Sequence, residues 1–522
     1  MTTDAGLRLA EPLAALSLVT DLGMGYPEES AVRATLLATQ LADRMGVGDD
    51  ERRTVYYASM LRYVGCMSTA HEAAEELGGD DIAAMNRMTF VDSQRSAEVL
   101  PALLGMAGRD RPPLGRARAV ADVLVHGKAR GATIMKTHCE VAARLADRCG
   151  LDTGVSGALY QIAERWDGKG VPDRRRGDQI AVATRFANLA HLVIAAQSAD
   201  GPDGSREVVR RLAGRTIDPE IAEVFVAHSA EILEGASGHD CWERLLAAEP
   251  GPPVVVPPRR LDEVAEAFGD AIDLKSPWLH GHSRGVAELA AGAAQASGCE
   301  DATVGALRLA GHLHDLGRAA VSTGVWDRPG ALSVGEWERV RLHPYHTERI
   351  LSRSPALAPV ARLAGSHHER LDGSGYHRSS EAAALDRPAR LLAAADAYHA
   401  LIEPRPHRPA SAPADAATQL AGDRSLDRDA VAAVCEAAGH PRRATRAEHP
   451  AGLTDREVEV LRLLAQGLTK KEMAGRLHVS ASTAHTHVVH IYEKIGLSTR
   501  AGAALFAMEH DLLRPEDRSF GR

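Results

Sequence analysis

HHERLDGSGYH, from His367 to His377, and IAERWDGKGVP, from Ile162 to Pro172, are two versions of one phrase in a chain of 522 residues. Both keep the pattern ERxDGxG, but the earlier version has Ile162 and Ala163 where the later one has two histidines. His367 and Ile162 are 205 positions apart, and the same offset aligns about 60 residues without a gap. A repeat of this length indicates a duplicated domain rather than chance resemblance.

The repeat continues upstream with a different offset. There HSRGVAELAAGAAQASG, which starts at His282, aligns with SAVRATLLATQLADRMG, which starts at Ser30. The earlier copy therefore contains 47 extra residues between Cys66 and His138. In both copies apolar residues recur at steps of three and four, the period of a helix with one buried face. We therefore expect two tandem helical bundles.

Composition supports this fold class and limits the possible functions. Aromatic residues make up 4% of the chain and alanine is abundant, which favours closely packed helices over pleated sheets. A net charge of -9 argues against a chain that binds nucleic acid or a membrane surface along its whole length. The six cysteines form no CxxC pair, and we find no N-terminal signal or membrane-length apolar run, so a reducing cytoplasm is expected.

Two seams divide the chain. PGPPVVVPPRR contains five prolines and predicts a stiff extended connector, and GHPRRATRAEHPAG predicts a flexible linker. The sequence thus predicts an all-α protein with five parts: a first helical domain (1–249), a proline-rich connector (250–260), a second helical domain (261–438), a linker (439–452) and a C-terminal helix-turn-helix domain (453–522).

Histidines concentrate in the second copy, where 11 of the 24 lie between His280 and His407. One such histidine alone would more often be an ordinary core or surface residue, but several beside aspartates favour a metal site for zinc, manganese or iron. The candidate ligands are His282, His314, Asp315, His343, His367, His368 and Asp396. Seven donors exceed what one open metal site accepts, so we expect two divalent metals bridged by Asp315. We interpret His280, His312, His346, His377 and His399 as structural, or as supporting the ligands from behind.

The second copy resembles an HD-GYP domain, a branch of the HD phosphohydrolases. The shared motifs are GHSRGVA, HDLGR for HDxGK, DRPGAL, HPYHT for HPxxG, HHERLDGSGYH for HHExxDGxGYP, AADAYHAL and RPHR for RPYR. The resemblance implies a helical bundle with two or three metals that hydrolyses cyclic di-GMP. Arg318 replaces the lysine that is expected to meet a substrate phosphate, His377 replaces a proline and Thr347 a glycine. We therefore expect phosphoester hydrolysis and leave the substrate open.

Three residues have expected roles in this chemistry. Asp315 would bridge the metals, which activate water for attack on phosphorus, and Arg318 would steady the phosphate. Tyr376 could stack on a base or serve only in packing.

The first copy has lost this ligand set. Only His138 survives, and the other aligned positions hold Ser30, Arg62, Tyr63, Ile162, Ala163 and His191. One histidine does not hold two metals, so we expect no metal-dependent hydrolysis there. The copy would serve packing, dimerisation or effector sensing.

The C-terminal unit predicts a helix-turn-helix. Thr454 with Glu457, and Thr469 with Glu472, have the spacing of a capping box, and Gly467 and Gly496 end the preceding helices. The segment resembles a LuxR-type DNA-binding domain through LTDREVEVL, GLTKKEMA and LHVSASTAHTHVVHIYEKIG followed by STRA. By that resemblance, the DNA-binding candidates are Lys470, Lys471, Ser482, Thr483, His485, Thr486, His490, Lys494 and Arg500. The alternative is a small protein-interaction module.

Charge in this unit is nearly balanced, with seven Lys or Arg and six Asp or Glu between Ala451 and His510. Because phosphate contacts dominate DNA affinity, we expect modest binding by a monomer and a homodimer as the active form.

Our leading hypothesis is a cytoplasmic transcriptional regulator whose second copy hydrolyses a phosphoester, such as a nucleotide or cyclic dinucleotide, and is coupled to double-stranded DNA binding. A second hypothesis is a sensor that binds the nucleotide without turning it over. A third is a scaffold that dimerises the DNA-binding heads. None of the three involves a membrane.

Overall fold

The computed structural model describes residues 7–92, 94–109, 112–257, 259–439 and 449–513. Its contacts divide the chain into two compact units, one of residues 1–263 with Ser322–Gly324, the other of residues 264–321 with 325–522. In the ranges just given, no helix is both long and apolar enough to cross a membrane. Helices dominate both units, which confirms the predicted all-α class.

The first unit contains eleven helices in its described residues. They are α1 (Ala10–Met24), α2 (Ser30–Arg44), α3 (Asp49–Met60), α4 (Ala70–Glu76), α5 (Asp81–Met88), α6 (Ser96–Met106), α7 (Pro113–Arg148), α8 (Thr153–Tyr160), α9 (Val182–Leu212), α10 (Pro219–Gly235) and α11 (Cys241–Ala247). Part of the proline-rich connector is extended, because β2 (Val255–Val256) pairs antiparallel with β1 (Leu7–Arg8). Pro258 lies outside the described residues.

The division between the two units falls within α12 (Arg260–Asp273), and the second unit continues from there. Its helices are α13 (His282–Ala296), α14 (Asp301–Leu313), α15 (Thr323–Trp326), α16 (Val334–Arg341), α17 (His343–Leu351), α18 (Ala358–Ala364), α19 (Arg387–Ile402), α20 (Pro413–Gly422), α21 (Arg428–Ala438), α22 (Asp455–Ala465), α23 (Lys470–Leu477), α24 (Ala481–Ile495) and α25 (Arg500–Glu509). Short 3₁₀ turns lie at Cys66–Thr69, Gly177–Gln179, Pro277–Leu279, Leu316–Ala320, Ala382–Ala384 and Pro450–Gly452. Most of the predicted linker, residues 440–448, lies outside the described residues.

Small residues allow the helices of the second copy to pack closely around the histidines. A Cβ on Gly311 of α14 would lie 2.4 Å from the Cα atom of Ala287 in α13. A Cβ on Gly317 would lie 1.9 Å from the carbonyl oxygen of His343. Only glycine permits these approaches, which bring the ends of α13, α14 and α17 together.

The same approach recurs in the first copy, where a Cβ on Gly65 would lie 2.1 Å from the carbonyl oxygen of His138. Gly65 aligns with Gly317, and His138 aligns with His343. The two copies therefore share backbone packing at the place where the second copy has its ligands.

The helix-turn-helix segment has the predicted caps. The side chains of Thr454 and Glu457 form a reciprocal capping box at the start of α22, and those of Thr469 and Glu472 do so at α23. Ser480 caps α24, where its hydroxyl accepts from the backbone of Thr483 at 3.0 Å. Apolar side chains from α22 to α25, including Phe506 of α25, form one buried cluster. The predicted capping boxes are thus confirmed.

Candidate metal centre

The second unit brings all seven predicted ligands into one buried cluster. Most lie at helix ends, where side chains from several elements converge. His282 and His343 are the first residues of α13 and α17, His314 and Asp315 follow α14, His367 and His368 follow α18, and Asp396 lies within α19. Only His368 has substantial exposure, with 22% of its side chain in contact with solvent. Residues separated by more than 100 positions thus present imidazole and carboxylate groups to one cavity.

Asp315 lies between two groups of imidazoles. Its Oδ1 atom is 3.2 Å from Nε2 of His343 and 3.5 Å from Nε2 of His367. Its Oδ2 atom is 3.6 Å from Nε2 of His314 and 3.8 Å from Nε2 of His282. Each oxygen faces its own pair of histidines, as a carboxylate that bridges two metals would.

Asp396 completes the two groups. Its Oδ1 atom is 3.4 Å from Nε2 of His282 and 3.8 Å from Nε2 of His314. Its Oδ2 atom is 3.5 Å from Nδ1 of His368. One group thus contains His282 and His314, the other contains His343, His367 and His368, and each of the two carboxylates has an oxygen facing each group.

Hydrogen bonds from Nδ1 to the backbone fix the ring orientation of three candidate ligands. His314, His343 and His367 each donate Nδ1–H to the backbone carbonyl three residues earlier, at 2.6–2.8 Å. These hydrogen bonds place a proton on Nδ1, so that Nε2 is the nitrogen that faces the cavity. Nε2 of His314 and Oδ1 of Asp315 are buried and have no hydrogen-bond partner. Buried polar atoms of this kind need a partner, and a divalent metal would supply one, so the residues fit the metals that the sequence predicts.

Burial and neighbouring charges shift the pKa values of the candidate ligands in different directions. Burial lowers the pKa of His314 to about 4, so its imidazole is neutral and able to bind metal at neutral pH. Burial by itself would raise the pKa of Asp315, but Arg318 and the surrounding imidazoles hold it well below its usual value. Burial alone would lower the pKa of His282, but the Glu403 carboxylate raises it to about 10, so His282 would have to release the proton on Nε2 on binding a metal. Asp315 is therefore ionised although it is buried, because Arg318 and the imidazoles stabilise its negative charge.

Glu403 contacts a candidate ligand from behind and was not identified from the sequence. Its side chain is fully buried, and its Oε2 atom accepts Nδ1–H of His282 at 2.8 Å. Arg405 donates to the same oxygen at 2.8 Å, and Nδ1 of His399 lies 3.2 Å from the other oxygen. A carboxylate behind a ligating histidine fixes the ring and increases its basicity. The available signal was an acidic residue one helical turn after His399, separated from RPHR by Pro404 alone.

The departures from the HD-GYP motifs lie around the cluster. The guanidinium of Arg318 is 3.1 Å from Oδ2 of Asp315 and lies over the ring of Trp326 at 3.7 Å. The hydroxyl of Thr347 accepts from the backbone of Gly317 at 2.9 Å and donates to the carbonyl of His314 at 2.8 Å. Thr347 therefore holds the turn that follows the ligand pair of α14.

Two aromatic groups lie on the open side of the cluster. The ring of Tyr376 lies 4.7 Å from that of His368 and 6.2 Å from that of His343, between centroids. His377 packs against Tyr345 at 5.7 Å and belongs to none of the metal-binding groups found among the described residues.

The first copy fills the equivalent cavity with other side chains. The guanidinium of Arg62 lies 4.4 Å from the ring centre of Tyr63, whose ring lies 4.9 Å from that of His191. Ile162 packs in a small apolar cluster with Cys139. The groups of residues that could hold a metal, as far as the structure describes the chain, all lie in the second copy.

The predicted DNA-contacting residues divide into two sets. On α23 and α24 the exposed ones are Lys470, Lys471, Ser482, Thr483, His485, Thr486 and His490. Lys494 is exposed but pairs with Glu457 at 2.7 Å, and Arg500 donates to the carbonyl of Gly467 at 2.8 Å. The first set is exposed to solvent, whereas the two residues of the second set make contacts within the module.

The fold and the site define a helical domain with a candidate metal centre, followed by a helix-turn-helix module. The family described as "HD domain" matches residues 266–429, and "Bacterial regulatory proteins, luxR family" matches residues 451–507. The chain therefore contains an HD domain followed by a LuxR-family domain, and the resemblance found in the sequence is confirmed.

Similar proteins are phosphodiesterases of cyclic dinucleotides. The "3'3'-cGAMP-specific phosphodiesterase 3" of Vibrio cholerae is 28% identical over 415 residues, which cover 79% of this chain and 90% of the relative. The "Cyclic di-GMP phosphodiesterase" of Thermotoga maritima is 32% identical over 28% of this chain and 41% of its own length. The crystal structure of the V. cholerae cyclic GMP-AMP phosphodiesterase V-cGAP3 covers 84% of this chain and 99% of its own, with a TM-score of 0.57 and 24% identity. The chain is thus homologous to these HD-type enzymes and shares the fold.

Proposed function

We propose that this protein is a metal-dependent phosphodiesterase of a cyclic dinucleotide whose HD domain is joined to a DNA-binding regulatory module. The observation that carries the proposal is the complete set of seven candidate ligands, in which the two oxygens of Asp315 face different groups of histidines. The cyclic dinucleotides named in its relatives make 3'3'-cGAMP and cyclic di-GMP the first substrates to test.

The candidate ligands would have different roles in hydrolysis. His282 and His314 would hold one divalent metal, and His343, His367 and His368 the other, with iron, manganese and zinc as the candidates. Two such metals polarise a phosphate and lower the pKa of water. Asp315 would keep the metals at one spacing, while Asp396 accepts contacts on both of its oxygens.

Arg318 is the cation nearest the bridging carboxylate. Its guanidinium carries a fixed charge and can pair with two phosphate oxygens at once, as a lysine cannot. To do so it must exchange the contact with Asp315 at 3.1 Å for a contact with the substrate.

The test uses the full chain loaded separately with Fe(II), Mn(II) or Zn(II). Metal content is measured by mass spectrometry, and products from 3'3'-cGAMP and cyclic di-GMP are separated by chromatography. We expect about two metals per chain and a linear dinucleotide as product. The double variant His314→Ala with Asp315→Ala should lose the metals and the hydrolytic activity. If it keeps its metal content and its activity, the assignment of this cluster as a catalytic metal centre is wrong.

A second candidate function is nucleotide sensing without turnover. It is favoured by the position of Arg318, whose charge is already used by Asp315 and whose plane is already stacked on Trp326. A sensor would bind the cyclic dinucleotide and leave it intact in the same assay.

The second part of the proposal is that the C-terminal module binds DNA. The exposed polar side chains of α24 would contact base edges of double-stranded DNA, while Lys470 and Lys471 contact phosphates. We propose that a homodimer binds DNA in the cytoplasm, because a module with nearly balanced charge has few phosphate contacts to offer alone. Selection of bound sequences from a random DNA library, with Thr483→Ala combined with Thr486→Ala as the control, tests this half.

A further inference from the structure

The helix α16 exposes a row of side chains beside the candidate metal centre. Val334, Trp337 and Arg341 lie three and four residues apart, so they share one face of the helix. Val334 is 81% exposed and Trp337 is 44% exposed. An exposed indole is common on protein surfaces, so the environment of Trp337 decides whether this one binds a ligand.

That environment leads directly to the metal ligands. The ring of Trp337 meets the ring of Tyr376 edge-on, with centroids 5.9 Å apart and an angle of 75°. Tyr376 in turn lies 4.7 Å from the imidazole of His368. The indole is therefore one aromatic ring away from the cluster and keeps much of its surface open to solvent.

Arg341 adds a positive charge at the same place. Its guanidinium carbon lies 5.8 Å from the ring centre of Tyr376. Its ion-pair partner is Glu338 at 3.3 Å, and the two side chains are 35% and 60% exposed. Ion pairs in such positions contribute little, so a phosphate could replace the carboxylate at low cost.

A cyclic dinucleotide has two phosphates and two bases, each base one sugar away from a phosphate. If the metals bind one phosphate, the adjoining base and the second phosphate must lie just outside the cluster. An aromatic face and an arginine are the groups that bind a base and a phosphate. We propose that Trp337 stacks on a nucleobase of the substrate and that Arg341 pairs with the phosphate that the metals do not hold. This inference rests on the proposed function and adds a base-binding subsite to it.

The test compares two substrates in the metal-loaded full chain. One is the cyclic dinucleotide that the protein cleaves, and the other is methyl p-nitrophenyl phosphate, a phosphodiester with no base and no second phosphate. A base stack is worth about 1–3 kcal/mol, so Trp337→Ala should raise KM for the cyclic dinucleotide by roughly 5- to 150-fold with kcat little changed. Trp337→Phe should restore most of that loss, and hydrolysis of the small ester should be unchanged in both variants.

Two further variants complete the design. Arg341→Ala should raise KM for the cyclic dinucleotide and weaken the dependence of KM on ionic strength, because one phosphate contact is gone. Val334→Ala, on the same face of α16, is the matched control and should behave like the native protein. Metal content should be the same in all variants.

The outcomes separate this inference from the function on which it rests. Equal losses on both substrates, or no loss on either, would overturn the subsite. Binding of the cyclic dinucleotide without cleavage would overturn the phosphodiesterase activity alone, and the Kd of Trp337→Ala against that of the native protein would then decide the subsite. If the native protein neither binds nor cleaves a cyclic dinucleotide, both proposals fail.

Discussion

The chain contains one helical scaffold twice, and among the described residues only the second copy has a cavity lined by imidazoles and carboxylates. Gly65 and Gly317 admit the same close backbone approach, within 2.1 and 1.9 Å of the aligned carbonyl oxygens. In the first copy Arg62, Tyr63 and His191 occupy the ligand positions of this scaffold. The shared backbone packing is therefore compatible with side chains other than imidazole and carboxylate at these positions.

The repeated phrase ERxDGxG belongs to the shared scaffold. The carboxylate of Glu164 accepts the backbone N–H of Asp173 at 2.7 Å, and that of Glu369 accepts the backbone N–H of Arg378 at 2.8 Å. In both copies the aspartate of the turn accepts a backbone N–H two residues later, at 3.0–3.1 Å. The phrase thus forms a loop in both copies, and the two histidines before it in the second copy are candidate metal ligands.

The largest effect should come from the bridge between the two groups of histidines. Asp315→Asn keeps the shape of the side chain but removes the charge that faces both groups, so metal content should fall from about two per chain to one or none. Turnover of the cyclic dinucleotide should fall by more than the roughly 100-fold that loss of an outer partner can cause. Metal analysis and a turnover assay on the same sample measure both.

The comparison adds a condition to this prediction. Because the first copy folds without a ligand set, the helical circular dichroism of Asp315→Asn should match that of the native protein. Full metal content with full turnover would contradict the bridging role, and an unfolded variant would contradict the separation of scaffold from site.

The aligned pair His343 and His138 gives a matched experiment within one chain. His343→Ala should lose metal and lower turnover by at least about 100-fold, because a ligand of the second group is gone. His138→Ala should leave metal content and turnover unchanged. His138 is buried and bonded to the hydroxyl of Thr69 at 2.7 Å, so its removal should instead lower the free energy of unfolding by about 1–3 kcal/mol. Equal effects of the two variants on metal content would show that the first copy also binds metal.

Much of this organisation follows from the sequence. Imidazole and carboxylate residues in fixed motifs identify the ligands, and the offset between the copies identifies which positions have lost them. Glu403 could not be found in the same way, because its role depends on α13 and α19 meeting at His282, a contact between residues 121 positions apart. Trp337 was hidden for a similar reason, since only the packed structure places it against Tyr376.

Glu403 should give the next largest effect. Glu403→Gln keeps the size of the side chain but weakens the hydrogen bond that orients His282, so metal affinity should fall by about 10- to 100-fold. Competition with a chelating indicator measures this affinity independently of activity. Glu436→Gln, at an exposed position on α21, is the control. Unchanged affinity in Glu403→Gln would show that Glu403 serves only packing.

The smallest predicted effect concerns acid stability of the first copy. Burial, with the Arg62 cation as a lesser cause, lowers the pKa of His191 to about 3. An unfolded histidine has a pKa of about 6.5, so below that pH the unfolded state binds a proton that the folded state excludes. Stability is therefore full above about pH 6.5 and is lost as the pH falls toward the folded pKa, by about 1.4 kcal/mol for each pH unit.

His191→Gln removes the titrating group and should respond less to acid. Its stability at neutral pH should be lower than that of the native protein, because Nε2 of His191 is 2.6 Å from the carbonyl of Ser59 and that contact is lost. The difference should shrink by about 1 kcal/mol between pH 7.0 and 5.5, since only the native chain loses stability through this residue. Urea unfolding of the full chain at both pH values measures the change, with His485→Gln on α24 as an exposed control. If the difference in the free energy of unfolding between the native protein and His191→Gln stays constant with pH, His191 is not held neutral. The cavity of the first copy would then be more polar than its burial suggests, as the cavity of the second copy is.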